Sequence, residues 1–459
     1  MKVLLINAKI PGHTVWVPLG LAYIAAYLQK HDIKVKIIDN DFNKENLFRQ
    51  LEEYDPDIIG TGGMTVQCND AIKIGQLVKS IKKDLMLVYG GVHFTFKPED
   101  GLRYGDVCII GEGEETFLEI CKGSHLHKIK GIAFKEHDEI ILTEQRPFIH
   151  NLDIIPFPSY DLLELDRYTD RLITGERAIS VMTGRGCPYN CVFCASPQLW
   201  RREVRFHSLG YIMSHIKFLI ENYDMKNLRI MDDTFTINRK RVLEFCGKVE
   251  DNGFDLNMTC LTNVKNADYE MFKRMKEVGF SIIAFGVESG NDKILEVINK
   301  GIDKDDVREA VATAQKAGLN TELLFMIGNI CENRKTIIDS INFAKELNPP
   351  KLNNSVTYNW FQFATPFPGS KFHEIASQYG DVITEDWDKY HHQEPVFIPK
   401  GLTRDTIIDL RNLALSETNS QKFFWIPQII RYSPFVRKVH KSSVRKVCKY
   451  LWRKFKQLL

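Results

Sequence analysis

Apolar residues fall along this chain in two successive rhythms. From residue 1 to about 150, short apolar runs alternate with stretches of helical spacing. Val3–Asn7, Lys34–Ile38, Ile58–Thr61, Met86–Tyr89 and Val107–Ile110 read as strands. Gly20–Gln29, Lys44–Glu53 and Asp70–Lys82 between them carry helical periodicity. Strands alternating with helices predict a parallel sheet covered on both faces. Ligands of such sheets bind at the carboxyl ends of the strands. Four loops have that placement: Pro18-Leu19-Gly20, Gly60-Thr61-Gly62-Gly63, Gly90-Gly91-Val92-His93 and Gly111-Glu112-Gly113-Glu114.

A break follows. Pro156, Pro158 and Ser159 interrupt the pattern, and residues 151–175 read as a linker. Alternation then resumes. Ile179–Met182, Leu228–Met231, Asn257–Leu261, Ile282–Phe285, Glu322–Met326 and Thr357–Phe363 read as strands. Arg241–Val249, Tyr269–Val278, Asp305–Lys316 and Thr336–Leu347 read as helices. Six β/α units point to a full or partial barrel over residues 176–380. Residues 381–459 read as mostly helical and end in a basic segment with apolar residues at helical spacing.

With 459 residues, two or three domains are expected. Hydrophobic content of 44% and charged content of 26% fit a globular protein. The opening Met1-Lys2-Val3-Leu4-Leu5-Ile6 is too short for the apolar core of a signal peptide, and no apolar stretch reaches the ~20 residues of a membrane span. The expected compartment is therefore the cytosol. Net charge is +2, but the segment from Arg431 to Leu459 holds ten Lys or Arg and no Asp or Glu, so the remainder is acidic. That tail could dock on the acidic remainder or lie on a membrane surface. No aromatic stacking pattern supports nucleic-acid binding.

Of ten cysteines, three crowd into one loop after the first strand of the second region: Cys187-Pro188-Tyr189-Asn190-Cys191-Val192-Phe193-Cys194. Clustered cysteines in a cytosolic chain read as metal ligands. A cubane held wholly by protein needs four thiolates, and no fourth cysteine is near, which leaves one iron open. A closed zinc site would also call for four ligands. The run Thr183-Gly184-Arg185-Gly186-Cys187, with spacing C-x3-C-x2-C and Phe193 before the last cysteine, resembles the cluster motif of the radical S-adenosylmethionine (SAM) superfamily. The resemblance implies a [4Fe-4S] cluster on Cys187, Cys191 and Cys194, with SAM chelating the open iron and cleaved to a 5′-deoxyadenosyl radical. It also implies an external electron donor of flavodoxin or ferredoxin type.

Barrel positions matching the same family carry further expectations. Asp232 and Asp233, at the end of the second barrel strand, lie near SAM or substrate, or cap the following helix. Glu288, in Gly286-Val287-Glu288-Ser289-Gly290, accepts from ribose hydroxyls of SAM, or is a plain loop residue. Where relatives read Gly-x-Pro-Gly-Glu, this chain has Gly328-Asn329-Ile330-Cys331-Glu332.

Gly-rich loops on a parallel sheet could bind any nucleotide-like ligand. Their order, from Pro18-Leu19-Gly20 through Asp55-Pro56-Asp57 and Gly90-Gly91-Val92-His93 to Gly111-Glu112-Gly113-Glu114, is similar to that of cobalamin-dependent radical SAM proteins. The resemblance implies cobalamin over residues 1–150, with Gly20, Thr61, Gly62, Gly91, His93, Gly111 and Glu112 as cofactor-binding residues beside Phe193, Asp232, Asp233 and Glu288 for SAM. The Asp-x-His-x-x-Gly signature of an axial histidine is absent, and His93 could serve as ligand or simply bond within its loop.

The expected fold is thus α/β: an N-terminal Rossmann-like doubly wound parallel sheet, a partial (β/α)6 TIM-type barrel and a helical C-terminal region. The expected function is cobalamin-dependent methylation of an unactivated centre in a small molecule. Radical cyclisation, rearrangement or oxidation without methyl transfer is one rival. A non-catalytic iron–sulfur or cobalamin sensor is another.

Overall fold

The two apolar rhythms become two parallel sheets. The computed structural model describes every residue except 12–15, 41–46, 169, 171, 173, 174, 176, 349–354 and 419–459. In the first sheet, β1 (Lys2–Asn7), β2 (Lys34–Asp39), β3 (Ile58–Gly62), β4 (Met86–Gly90) and β5 (Val107–Ile109) run parallel. Two strands not foreseen from the pattern, β6 (Ile132–Glu136) and β7 (Glu139–Leu142), extend it antiparallel. Their hairpin turns on His137 and Asp138, with φ of 48° and 66°. Such a two-residue turn needs positive φ at both positions. The order is β2-β1-β3-β4-β5-β6-β7. The chain therefore reverses direction between β1 and β3, where doubly wound sheets open a binding crevice.

Among the described residues, six helices flank this sheet: α1 (Leu19–Gln29), α2 (Leu47–Tyr54), α3 (Cys68–Ile81), α4 (Val92–Phe96), α5 (Pro98–Gly101) and α6 (Glu114–Cys121). α1 and α6 bury Tyr23, Leu28, Phe117 and Leu118 against one face. α2 and α3 bury Leu51, Ile74 and Val78 against the other. Each face hides apolar area at about 25 cal/mol per Å², so the strands read as continuous apolar runs rather than alternating ones.

The second sheet is built from β8 (Ile179–Val181), with the short ribbon β9 (Gly184–Arg185) and β10 (Arg205–Phe206) above it, then β11 (Asn227–Ile230), β12 (Asn257–Thr262), β13 (Phe280–Glu288), β14 (Asn320–Ile327) and β15 (Thr357–Phe363). Its six parallel strands lie in the order β15-β14-β13-β12-β11-β8, strictly sequential, as in an open partial barrel. Its helices are α7 (Ser196–Leu199), α8 (Leu209–Tyr223), α9 (Arg239–Asp251), α10 (Tyr269–Glu277), α11 (Asp292–Val297), α12 (Lys304–Lys316) and α13 (Arg334–Glu346). Side-chain caps start many of them; Asp303, for example, accepts from the backbone N–H of Asp305 and Asp306.

Two expectations need correction. The stretch 151–175 is no free connector: Leu152, Ile155, Tyr160 and Leu165 are buried in the cores it joins. Its prolines break helices without preventing packing. Of the region 381–459, expected to be mostly helical, the described part, which ends at residue 418, is less than half helix. After α14 (Lys371–Tyr379) the chain forms a hairpin of β16 (Gly380–Val382) and β17 (Phe397–Pro399) before α15 (Arg404–Thr418). The basic segment 431–459 lies outside the described residues. Among the described residues, no helix is long and apolar enough to cross a membrane.

Candidate active site

The cysteine loop crosses the carboxyl end of the second sheet and is tied down on every side. Asp232, just past β11, accepts from the N–H groups of Thr183 (2.6 Å) and Gly184 (3.1 Å), and from the Thr183 hydroxyl. Burial pushes its carboxyl up to about 6 against those donors. Asp232 therefore fixes the approach to Cys187 and caps no helix. On the far side, Val192 N–H donates to Ile298 O at 2.9 Å, and Asn299 Nδ2 donates to Asn190 O at 2.7 Å. Phe372 N–H donates to Val192 O at 2.8 Å.

The three thiols of this loop are partly exposed. Burial pushes Cys187 up to about 11 and Cys194 up to about 12, and raises Cys191 as well. Protonated thiols are poor ligands, so a cation must displace three protons to be held here. Among the other described cysteines, Cys68, Cys108, Cys121, Cys246 and Cys260 are buried and Cys331 is exposed. Three thiols of one loop, close enough to influence one another electrostatically, fit a cluster that keeps one iron open.

Charged groups surround the thiols. Glu288 ends β13 with φ of 68°, beside a register shift against β14. A non-glycine residue in that region stores strain, which a specific contact must offset. That contact is Lys300, whose buried ammonium donates to Glu288 Oε1 at 2.7 Å. Burial alone would lower the Lys300 ammonium; Glu288 and the neighbouring Cys191 hold it above its ordinary value. The same ammonium sits 5.5 Å over the Phe193 ring. Asp233 is exposed, accepts from the Ser196 hydroxyl at 2.8 Å, and bears electrostatically on Cys187 and Cys194. Phe193, Asp233 and Glu288 thus meet the cysteines, while Asp232 stands one layer beneath them. Lys300 and Asn299 lie more than 100 residues from Cys187. No local spacing marks them, and sequence reasoning passed them over.

Further along, Glu332 accepts from the N–H groups of Gly328 (2.7 Å) and Asn329 (2.9 Å), and burial pushes its carboxyl up to about 8. The departed loop Gly328–Glu332 is thus closed by its own glutamate.

At the first sheet the loops pack backbone on backbone. Gly63 N–H donates to Gly90 O at 3.0 Å, and His93 N–H to Gly63 O at 3.1 Å. A Cβ at Gly62 would stand 2.0 Å from Gly90 O, at a φ of 143°. Gly91 faces Gly63 in the same way. These two glycines permit the contact. Gly20 and Gly111, in contrast, have nothing within 4 Å of an added Cβ. Trp16 and Met64 leave apolar surface exposed at the carboxyl ends of β1 and β3. Exposed apolar side chains at this end of the sheet fit the broad apolar face of a corrin.

Three expected cofactor-binding side chains are engaged inside the protein instead. Thr61 donates its hydroxyl to Ile6 O at 2.9 Å. His93 is fully buried; its Nε2 lies 3.1 Å from Asp100, and its ring meets Trp387 edge-on at 5.0 Å. Glu112 is bonded by Arg185 Nη1 at 2.6 Å and by Arg205 Nη1 at 2.9 Å. Burial would raise the Glu112 carboxyl, but the two guanidiniums hold it below the usual range. A cavity of about 120 Å³ lies between the two regions, lined by Thr95, Gly111 and Glu112 on one side and Gln198, Leu199 and Arg201 on the other.

A three-cysteine loop over an open parallel barrel, joined to a doubly wound domain whose strand order reverses at β1, defines a two-domain α/β protein with a binding end on each sheet. Residues 4–121 match the B12 binding domain family, and residues 181–344 match the Radical SAM superfamily. An uncharacterized methyltransferase of Pyrococcus horikoshii is 36% identical over 433 residues, 92% of this chain and 92% of that protein. The anaerobic magnesium-protoporphyrin IX monomethyl ester cyclase of Rubrivivax gelatinosus is 25% identical over 94% of this chain and 77% of the cyclase. Among solved structures, the cobalamin-dependent SAM radical enzyme OxsB with aqua-cobalamin bound aligns with a TM-score of 0.67 at 20% identity, over 75% of this chain. The chain spans about half, 52%, of that longer protein. This chain belongs to the radical SAM enzymes that carry a B12-binding domain, whose cofactors are a [4Fe-4S] cluster, SAM and cobalamin.

Proposed function

We propose that this enzyme methylates an unactivated carbon or phosphinate centre of a small molecule. One observation carries the reading: the cavity where the Gly111 loop of the B12-binding domain faces α7, directly after Cys194. A substrate there would reach both cofactor centres. The relation to a methyltransferase-named protein along 92% of the chain supports the same reading.

When bound, the cofactors supply reductive cleavage of SAM to a 5′-deoxyadenosyl radical and a methyl group held on cobalt. The protein orients, encloses and tunes them. Cys187, Cys191 and Cys194 would hold the cluster. Lys300 occupies Oε1 of Glu288 and so leaves Oε2 to accept from a ribose hydroxyl. Phe193 and Asp233 would line the same pocket. Gly20, Gly62, Gly91 and Gly111 would bring backbone close to the corrin. An external reductant of flavodoxin or ferredoxin type would supply the electron.

The cyclase relative favours a second reading, radical ring formation without methyl transfer. Anaerobic reconstitution with iron, sulfide and cobalamin, followed by SAM and reductant, separates the two. Methylation yields both 5′-deoxyadenosine and S-adenosylhomocysteine, whereas cyclisation yields the former alone.

A further inference from the structure

Two glutamates of the B12-binding domain and two arginines of the barrel meet in a single buried network. Arg185 donates through Nη1 to Glu112 Oε1 and through Nη2 to Glu114 Oε1, both at 2.6 Å. Arg205 donates through Nη1 to Glu112 Oε2 at 2.9 Å and to Oε1 at 3.1 Å. It also reaches Ile149 O at 2.7 Å. Exposure of the four residues is 9% for Glu112, 4% for Glu114, 8% for Arg185 and 6% for Arg205. Two positive and two negative charges cancel, so the network is neutral.

Its position matters more than its charge. Glu112 follows Gly111 in the loop at the carboxyl end of β5, and Glu114 begins α6. Arg185 lies two residues before Cys187, and Arg205 is its partner across the β9–β10 ribbon. The network therefore joins the loop beside the corrin crevice to the loop that carries the thiols.

Buried ion pairs are poor stabilisers compared with apolar packing of the same volume. What they add is direction. A guanidinium fork that engages two carboxylates at once admits one orientation, whereas an apolar seam allows sliding. Transfer between two cofactor centres demands such precision, since a shift of about 1 Å can cost roughly 10²-fold in rate.

We propose that Glu112, Glu114, Arg185 and Arg205 form a positioning clamp that sets the separation of the cobalt from the iron–sulfur cluster. None of the four touches the reacting atoms. This inference rests on cobalamin and the cluster occupying the sites assigned above.

The test is the magnetic dipolar interaction between cob(II)alamin and the reduced cluster in the full-length reconstituted protein, read by electron paramagnetic resonance. Arg185→Lys keeps the charge but cannot span both glutamates. With iron and cobalamin at wild-type stoichiometry, the clamp requires a shifted and broadened dipolar splitting in Arg185→Lys. It requires a smaller change of the same kind in Glu114→Gln, which keeps a carbonyl acceptor for Arg185 but loses the charge that holds it. An unchanged splitting in both fully loaded variants would overturn the clamp. Should Arg185→Lys not load both cofactors, the milder Glu114→Gln decides alone. If wild-type protein takes up the cluster but no cobalamin, the cofactor reading fails, and the clamp falls with it.

Discussion

The two cofactor-bearing regions hold their loops in opposite ways. In the barrel, side chains add to two backbone bonds at Val192 in gripping the cysteine loop: Asp232 on Thr183 and Gly184, Asn299 on Asn190. The loop is then free to present its own side chains. In the B12-binding domain, loops grip each other through backbone, with Gly63 on Gly90 and His93 on Gly63. Their polar side chains Thr61, His93 and Glu112 are spent on internal bonds. A side-chain site leaves a spaced motif in the sequence. A backbone site leaves little beyond glycines, which many folds share.

Substitutions that remove one site and spare the other test this contrast most sharply. Cys194→Ala should abolish cluster assembly and lower SAM cleavage by at least ~10³-fold, while cobalamin uptake stays near one per chain. Iron content and 5′-deoxyadenosine formation check it; retained iron would break the comparison. Gly62→Ala should act in reverse. Its Cβ would meet Gly90 O at 2.0 Å, so the loop pair must part. A cost of about 2–4 kcal/mol is expected in thermal or denaturant unfolding, with loss of cobalamin and a retained cluster.

The seam between the regions should respond to acid. Burial pushes His207 down to about 4 and His215 down to about 3. His207 bonds Asp153 of the packed connector, and His215 bonds Tyr160. Between pH 6.5 and about 4 the unfolded chain binds protons that the folded chain refuses, so stability falls as pH falls. The slope is about 1.4 kcal/mol per pH unit per group. Asp232 and Glu332 work the other way: their folded carboxyls bind protons up to about pH 6 and about pH 8, and together they offset the two histidines below pH 6. Glu332→Gln removes one of the two offsets, so its stability followed from pH 7 to 4.5 should fall relative to that of the unaltered chain, and parallel profiles would contradict this.

The smallest effect concerns tuning. Lys300→Met removes a buried positive charge beside Cys191 and Cys194. The cluster midpoint should become more negative by on the order of 60 mV, about 1.4 kcal/mol for one electron, with Lys300→Arg close to wild type. Potentiometric titration without SAM measures it. No shift would mean that Lys300 only supports Glu288.

Much of this was legible because it is local. A strand or helix shows its period within a dozen residues, and each parallel strand of the barrel fell within a few residues of its expected span. A three-cysteine motif is spaced along one loop, so Cys187, Cys191 and Cys194 stood out as candidate cluster ligands. Other elements were not. The β6–β7 hairpin turns on His137 and Asp138, neither a glycine, and its strands are short. The connector at 151–175 carried breakers, yet Leu152, Ile155 and Tyr160 pack it into the cores. His93 left two roles open, ligand or bonding within its loop, and only the fold shows a short helix turning its ring inward onto Asp100 and Trp387.

By itself, the order of residues determined two parallel α/β units and the loop that gathers three cysteines, because hydrophobic period and motif spacing are properties of neighbours in the chain. Tertiary structure alone decided which charges meet. Glu112 and Arg185 lie 73 residues apart, and Glu288 and Lys300 come together only where β13 and the turn after α11 converge on the thiols. A buried charge selects its partner by proximity in a medium that screens weakly, and proximity of that kind exists only once the chain has folded.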